Sequence, residues 1–257
     1  MPLSQPPLWR EGRFAVERLA LAVDPVWRGE GVPSGDGSPV LLVAGFLAGD
    51  PTLGTMAAWL KRLGYAPRRA GLRANVDCAT RSADRLEERV RELHAETGRR
   101  VSIVGQSRGG SLARLLAHRA PEAIAGIVTL GSPLMDELAV HPVVKLHVRA
   151  VAAVGSLRVP GVFSRACADG DCCAASRALV ATDFPDDVGF VSVHSRSDGI
   201  VDWRACVHPA ASNVRVNASH CGMAVHGETY RVVARALAGF TSRAQTAAPA
   251  ARTARAA

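Results

Sequence analysis

A short apolar run that breaks into a glycine-flanked serine most constrains what this chain can fold into. Residues 101–104, V-S-I-V, read as a buried strand. They pass into Gly105-Gln106-Ser107-Arg108-Gly109, a G-x-S-x-G. Residues 111–118 then have helical spacing, with Leu112, Leu115 and Leu116 on one face. So tight a turn from strand to helix leaves no room for side chains at Gly105 and Gly109. It forces Ser107 into a strained conformation and aims its hydroxyl outward, at the helix N-terminus. Such a serine is a candidate nucleophile; the plainer reading is a serine in a glycine-rich turn.

The remaining chain alternates strand and helix. Residues 1–12 read as a loose arm. Residues 14–26 have helical apolar spacing at Phe14, Val16, Leu19 and Val23. Residues 40–44 form a second apolar strand, running into Gly45-Phe46-Leu47-Ala48-Gly49. Asp50-Pro51 opens a helix, Asp being favoured at the N-cap and Pro at the first position. A short strand is expected at 65–69, an amphipathic helix at 82–98 stopped by Gly98, and strands at 123–130, 188–194 and 214–216. A closing helix is expected at 228–240. Residues 241–257 lack apolar periodicity and are expected to be disordered. The segment 134–186 is too long for a plain crossover and reads as an inserted cap. The expected organisation is an arm and short helix at 1–38, one domain at 39–240 carrying the cap, and a tail at 241–257. Continuously apolar strands between helices predict a mostly parallel sheet covered on both faces. In such sheets ligands bind outside the C-terminal ends of the strands.

Composition removes several classes. A hydrophobic content of 48% is ample for one core, and no apolar run reaches membrane length. The first residues lack a basic region followed by an apolar one, so the cytoplasm is the default expectation. The net charge is +8, but its arginines are scattered, as at Arg68-Arg69 and Arg99-Arg100. That pattern reads as solvated surface, and no nucleic-acid partner is expected. Six cysteines are present, Cys78, Cys167, Cys172, Cys173, Cys206 and Cys221, with no C-x-x-C pair. Free thiols are the default, and no cofactor or metal is expected. Two weaker alternatives are a disulfide from the cap to Cys206, and a metal set of Cys167, Cys172 and Cys173 with His220 and Cys221.

Ser107, Asp198 and His220 each follow an expected strand, in that order. His220 lies in Ala218-Ser219-His220-Cys221-Gly222-Met223; its rival, His226, lies at the start of the closing helix. Asp198 lies in Ser195-Arg196-Ser197-Asp198-Gly199. Asp202 is its rival, while Asp186 and Asp187 precede the strand and read as loop acids. With V-S-I-V-G-Q-S-R-G-G, V-A-G-F at 43–46, S-R-S-D-G-I-V at 195–201 and A-S-H-C-G-M at 218–223, the chain resembles an α/β-hydrolase of the lipase/esterase type over about residues 39–240. The resemblance implies the α/β-hydrolase fold with an inserted cap. It implies a serine hydrolase that cleaves a carboxylic ester, lipid esters included, through an acyl-enzyme, with no cofactor. Ser107 would be the nucleophile, His220 the base and Asp198 its orienting acid. The backbone N–H groups of Phe46 and Arg108 would form the oxyanion hole. One departure stands out: many lipases have His-Gly before the oxyanion residue, and position 44 here is Ala. Acyl transfer or thioester cleavage by the same triad, and a non-catalytic binding module, are the alternatives.

Overall fold

Six strands form one sheet: β1 (Pro39–Val43), β2 (Ala66–Arg69), β3 (Val101–Gln106), β4 (Ile124–Leu130), β5 (Gly189–Ser195) and β6 (Ser212–Val216). The computed structural model describes residues 7–169 and 171–253. The strand order is β2-β1-β3-β4-β5-β6, and every neighbouring pair is parallel. β1, β3 and β4 are buried along their whole length, which is why their sequences do not alternate. The chain steps from β1 outward to β2, then back across to β3. The sheet therefore reverses direction between β1 and β3, and the loops leaving these two strands flank a natural crevice.

Helices cover both faces. They are α1 (Phe14–Val23), α2 (Gly54–Arg62), α3 (Ala79–Thr97), α4 (Arg108–Arg119), α5 (Pro142–Gly155), α6 (Arg165–Asp169), α7 (Ala174–Val180), α8 (Trp203–Cys206) and α9 (Gly227–Thr253). On one face Trp59 and Leu60 of α2 and Tyr230 and Leu237 of α9 pack on Leu42, Val104 and Val128. On the other, Leu86 and Val90 of α3 and Leu112 and Leu116 of α4 pack on Leu41, Ile103 and Ile127. Successive strand residues thus feed opposite layers, as the period of a strand requires. Trp59 anchors the first layer: its ring lies 4.4 Å from that of Tyr230, and its Nε1 donates to the Val26 carbonyl at 2.7 Å. Between β4 and β5 the cap helices α5 to α7 occupy the segment expected to be an insertion.

Three local expectations are corrected. Asp50 does not cap its own helix; its carboxylate accepts from the backbone N–H groups of Gly71 and Leu72 across the loop. The turn Asp50–Leu53 is 3-10, and α2 begins only at Gly54. The first helix forms, but Val16, Leu19 and Val23 are exposed, and its buried residues are Glu17 and Leu21. The polar demand described below overrides the apolar stripe. The last helix runs past residue 240 to Thr253, through an alanine-rich stretch of high helix propensity; residues 254–257 lie outside the described residues. No helix among the described residues is long and apolar enough to cross a membrane.

Candidate active site

Ser107 occupies the single residue between β3 and α4, with φ 52° and ψ −125°. A serine in this region is strained by about 1–3 kcal/mol, and the surrounding packing has to hold it there. Two glycines make the packing possible. A Cβ on Gly105 would stand 2.4 Å from the Gly109 carbonyl oxygen, and one on Gly109 would stand 2.1 Å from that of Val43. Both glycines of the motif are therefore steric necessities, as its spacing predicts. The Ser107 N–H donates to the Leu130 carbonyl at 2.8 Å, tying the turn to the end of β4.

Asp198 follows β5 and His220 follows β6, and the structure brings them together: His220 Nδ1 lies 2.7 Å from Asp198 Oδ2. Both are buried. The other carboxylate oxygen, Oδ1, accepts from the N–H groups of Ile200 and Val201, each at 2.8 Å, which fixes the carboxylate's orientation. Burial alone would push the His220 pKa down. The charge and hydrogen bond of Asp198, with Glu11 adding to them, outweigh burial and raise it above its ordinary value. Gln106 Nε2 donates to the His220 carbonyl at 3.1 Å, joining the histidine loop to the residue before Ser107. The rivals stand elsewhere. Asp202 caps α8 through the Arg204 N–H and pairs with the Arg204 side chain. His226 lies between a 3-10 turn and α9, and its Nδ1 has no hydrogen-bond partner among the described residues.

The backbone N–H groups of Phe46 and Arg108 make no hydrogen bond among the described residues. Phe46 follows β1 and Arg108 opens α4, so both belong to loops at the C-terminal edge of the sheet. Leu47, with φ 57°, shapes the turn after Phe46. At Ala44, where a histidine is common in lipases, the carbonyl accepts from Asn75 Nδ2 at 2.7 Å. Asn75 Oδ1 in turn accepts from Arg108 Nε at 3.3 Å, and Arg108 also donates to the Asp77 carbonyl at 2.7 Å. Phe163 of the cap packs 6.1 Å from the Phe46 ring and receives the Arg108 guanidinium over its face. The cap, the Phe46 loop and the residue after Ser107 thus share one set of contacts.

The N-terminal arm is part of the site, which its sequence did not announce. Glu11 lies in a 3-10 turn, Leu8–Arg13, that precedes α1. Its Oε1 accepts from the N–H groups of Gly199 at 2.9 Å and His220 at 3.0 Å, and its Oε2 from Cys221 at 3.1 Å. One carboxylate therefore bridges the Asp198 loop and the His220 loop. Glu17, buried, accepts from the Ser219 N–H at 2.8 Å and the Ser219 hydroxyl at 2.6 Å. Arg13 pairs with Glu17 and donates to the Asn217 carbonyl. The only available signal was a pair of acids six residues apart in an arm with no other reason for order.

The cysteine alternatives are corrected. Cys206 is a buried free thiol with its sulfur toward the Asp202 carbonyl, and the residues of 134–186 that pack on it are Val140 and Val144, not a cysteine. Cys221 faces Glu11, and His220 is engaged with Asp198, so neither joins the cap cysteines. Those cysteines instead meet Cys78.

A sequence profile of the alpha/beta hydrolase family matches residues 43–162. No curated protein sequence matches the chain. Among solved structures, the mature lipase BlEst2 of Bacillus licheniformis superposes with a TM-score of 0.58 at 16% identity, covering 82% of this chain and 95% of that one. A monoacylglycerol lipase from Paleococcus ferrophilus gives 0.54 at 12% identity, covering 82% and 97%. A soluble variant of monoglyceride lipase from Saccharomyces cerevisiae gives 0.53 at 16% identity, covering 83% and 90%. Sheet order, serine turn and profile match agree: the chain has an α/β-hydrolase fold, like that of the lipases it superposes on.

Proposed function

We propose that this protein is a serine hydrolase that cleaves carboxylic esters, including lipid esters, through an acyl-enzyme. The observation that carries the reading is the buried Asp198–His220 hydrogen bond of 2.7 Å, at the sheet edge where Ser107 is held in a strained turn. With Nδ1 committed to Asp198, Nε2 is the ring atom left to take the Ser107 proton. Attack by Ser107 Oγ on the ester carbonyl would place the developing oxyanion before the Phe46 and Arg108 N–H groups, each worth on the order of 3 kcal/mol of transition-state stabilisation. His220 would then pass the proton to the leaving alcohol, and water would release the acid by the same steps reversed. Asp198 would stabilise the imidazolium in both halves. An apolar acyl chain is supported by the cap, which leaves Leu138, Leu146 and Leu157 exposed, with Leu47 exposed beside Phe46. The lipases among the similar structures support the same substrate class.

Covalent labelling by a fluorophosphonate probe tests the reading. The native protein should label at Ser107, and Ser107→Ala should lose labelling and several orders of magnitude in turnover while keeping its fold. A panel of p-nitrophenyl esters of increasing chain length should give highest kcat/KM above the shortest acyl groups. Unchanged labelling and turnover in Ser107→Ala would sink the proposal.

A further inference from the structure

Four of the six cysteines converge outside the site just described. Cys78 ends the loop before α3 and Cys167 lies in α6. Cys172 and Cys173 lie in the 3-10 turn between α6 and α7. The Cys78 sulfur is 3.7 Å from that of Cys172 and 3.5 Å from that of Cys173, and the latter two are 3.5 Å apart. The sulfurs of Cys78, Cys167 and Cys172 all lie within 4.8 Å of one another. A disulfide would require about 2.05 Å. Four thiolates at about 2.3 Å from a tetrahedral ion stand about 3.8 Å apart, and three of the observed edges are close to that spacing.

Cys78 stands at the N-cap of α3, and the side chains of Arg81 and Arg108 bond Asp77 beside it. Cys78 and Cys173 are buried while Cys172 is exposed, which leaves an entry path for an ion. Four converging thiols gain little from one another, since S–H is a weak donor.

We propose that Cys78, Cys167, Cys172 and Cys173 bind one zinc(II) ion as a closed tetrathiolate site that pins the cap to the core. On binding, the four thiols release their protons to solvent, and the four thiolates with the dication leave a charge of −2 facing Arg81 and Arg108. Soft thiolate ligands in tetrahedral array select zinc, and a site with no open position is structural rather than catalytic. The tether acts next to Asn75 and Asp77, the residues that hold the Arg108 side chain. It therefore fixes the cap's distance from the Phe46 loop.

The test is elemental analysis of untagged protein purified without chelator or added metal. About one zinc per chain is expected. After zinc is stripped, cobalt(II) should restore the intense visible absorption of a tetrahedral thiolate complex. Cys167→Ser and Cys173→Ser should bring zinc close to zero, whereas Cys206→Ser and Cys221→Ser should keep it at one. Circular dichroism confirms that each variant is folded; Cys172→Ser, altered at the exposed corner, serves should the buried positions fail to fold. Iron in place of zinc would overturn the proposal. So would the absence of zinc both as purified and after incubating the reduced protein with zinc chloride. A disulfide among the four, found by peptide mapping without reduction in metal-free protein that takes up no zinc after reduction, would also overturn it.

Discussion

His220 sets the pH behaviour of the proposed site. Its raised pKa places the acid limb of kcat/KM above about pH 6.5, because the base works only when neutral. Stability runs the other way. A group whose pKa is raised by folding contributes its full stabilisation below the unfolded value of about 6.5 and loses it as pH rises through the folded value. Urea midpoints measured across that window should fall as activity climbs. Glu11 contributes to the raised value and holds the His220 N–H. Glu11→Gln should therefore move the acid limb to lower pH. It should also lower kcat by about tenfold or more with little change in KM, since hydrogen bonds to a charged group are worth about 1.5–3 kcal/mol. An unmoved pH profile would reduce Glu11 to a structural brace. Asp198→Asn and His220→Ala should each lower kcat sharply, and the double variant should be little worse than His220→Ala alone, as residues acting as a unit require. Ser107, Asp198 and His220 could be proposed from the sequence because each carries its own local signature beside a strand. Glu11 was not, because its partners lie up to 210 residues away and its neighbours read only as a loose arm. Cys78 was missed for the same reason: its partners lie 94 and 95 residues on.

The strands and the larger helices followed from periodicity, because a strand buried on both faces must be continuously apolar and a helix on one face must repeat near 3.6. α1 shows where that logic stops. Its apolar residues face solvent, while Glu17 turns inward to satisfy Ser219. Removing a buried hydrogen-bonding partner costs about 1–3 kcal/mol. Glu17→Ala should lower the unfolding free energy by about that amount, while Arg18→Ala, on the exposed face, should stay within about 0.5 kcal/mol; denaturant midpoints decide it. The contact of α4 with β1 is equally unforgiving. A methyl at Gly109 meets the Val43 carbonyl, so Gly109→Ala should destabilise by about 1–3 kcal/mol or more and push α4 off the sheet. Native stability in that variant would contradict the close approach. The cap was legible only as a break in rhythm, because its fixed points, the Phe163 N–H on the Val76 carbonyl and the cysteine cluster, are long-range.

At the level of the entire chain, one sheet collects four loops at one edge, and the turn before α1 is joined there to the loops after β5 and β6. The strand order reverses between β1 and β3, and the loops after β5 and β6 bring Asp198 and His220 together. The turn Leu8–Arg13 and α1 hold the His220 loop through Glu11 and Glu17. That clamp has a consequence in time. A ribosome adding about 5–20 residues per second releases His220 roughly 10–40 s after Glu11. Throughout that interval the arm has nothing to hold, and the bridge between the Asp198 and His220 loops does not exist. A nascent chain therefore carries its serine turn long before the clamp that completes the site. The clamp forms only once residue 221 has left the ribosome.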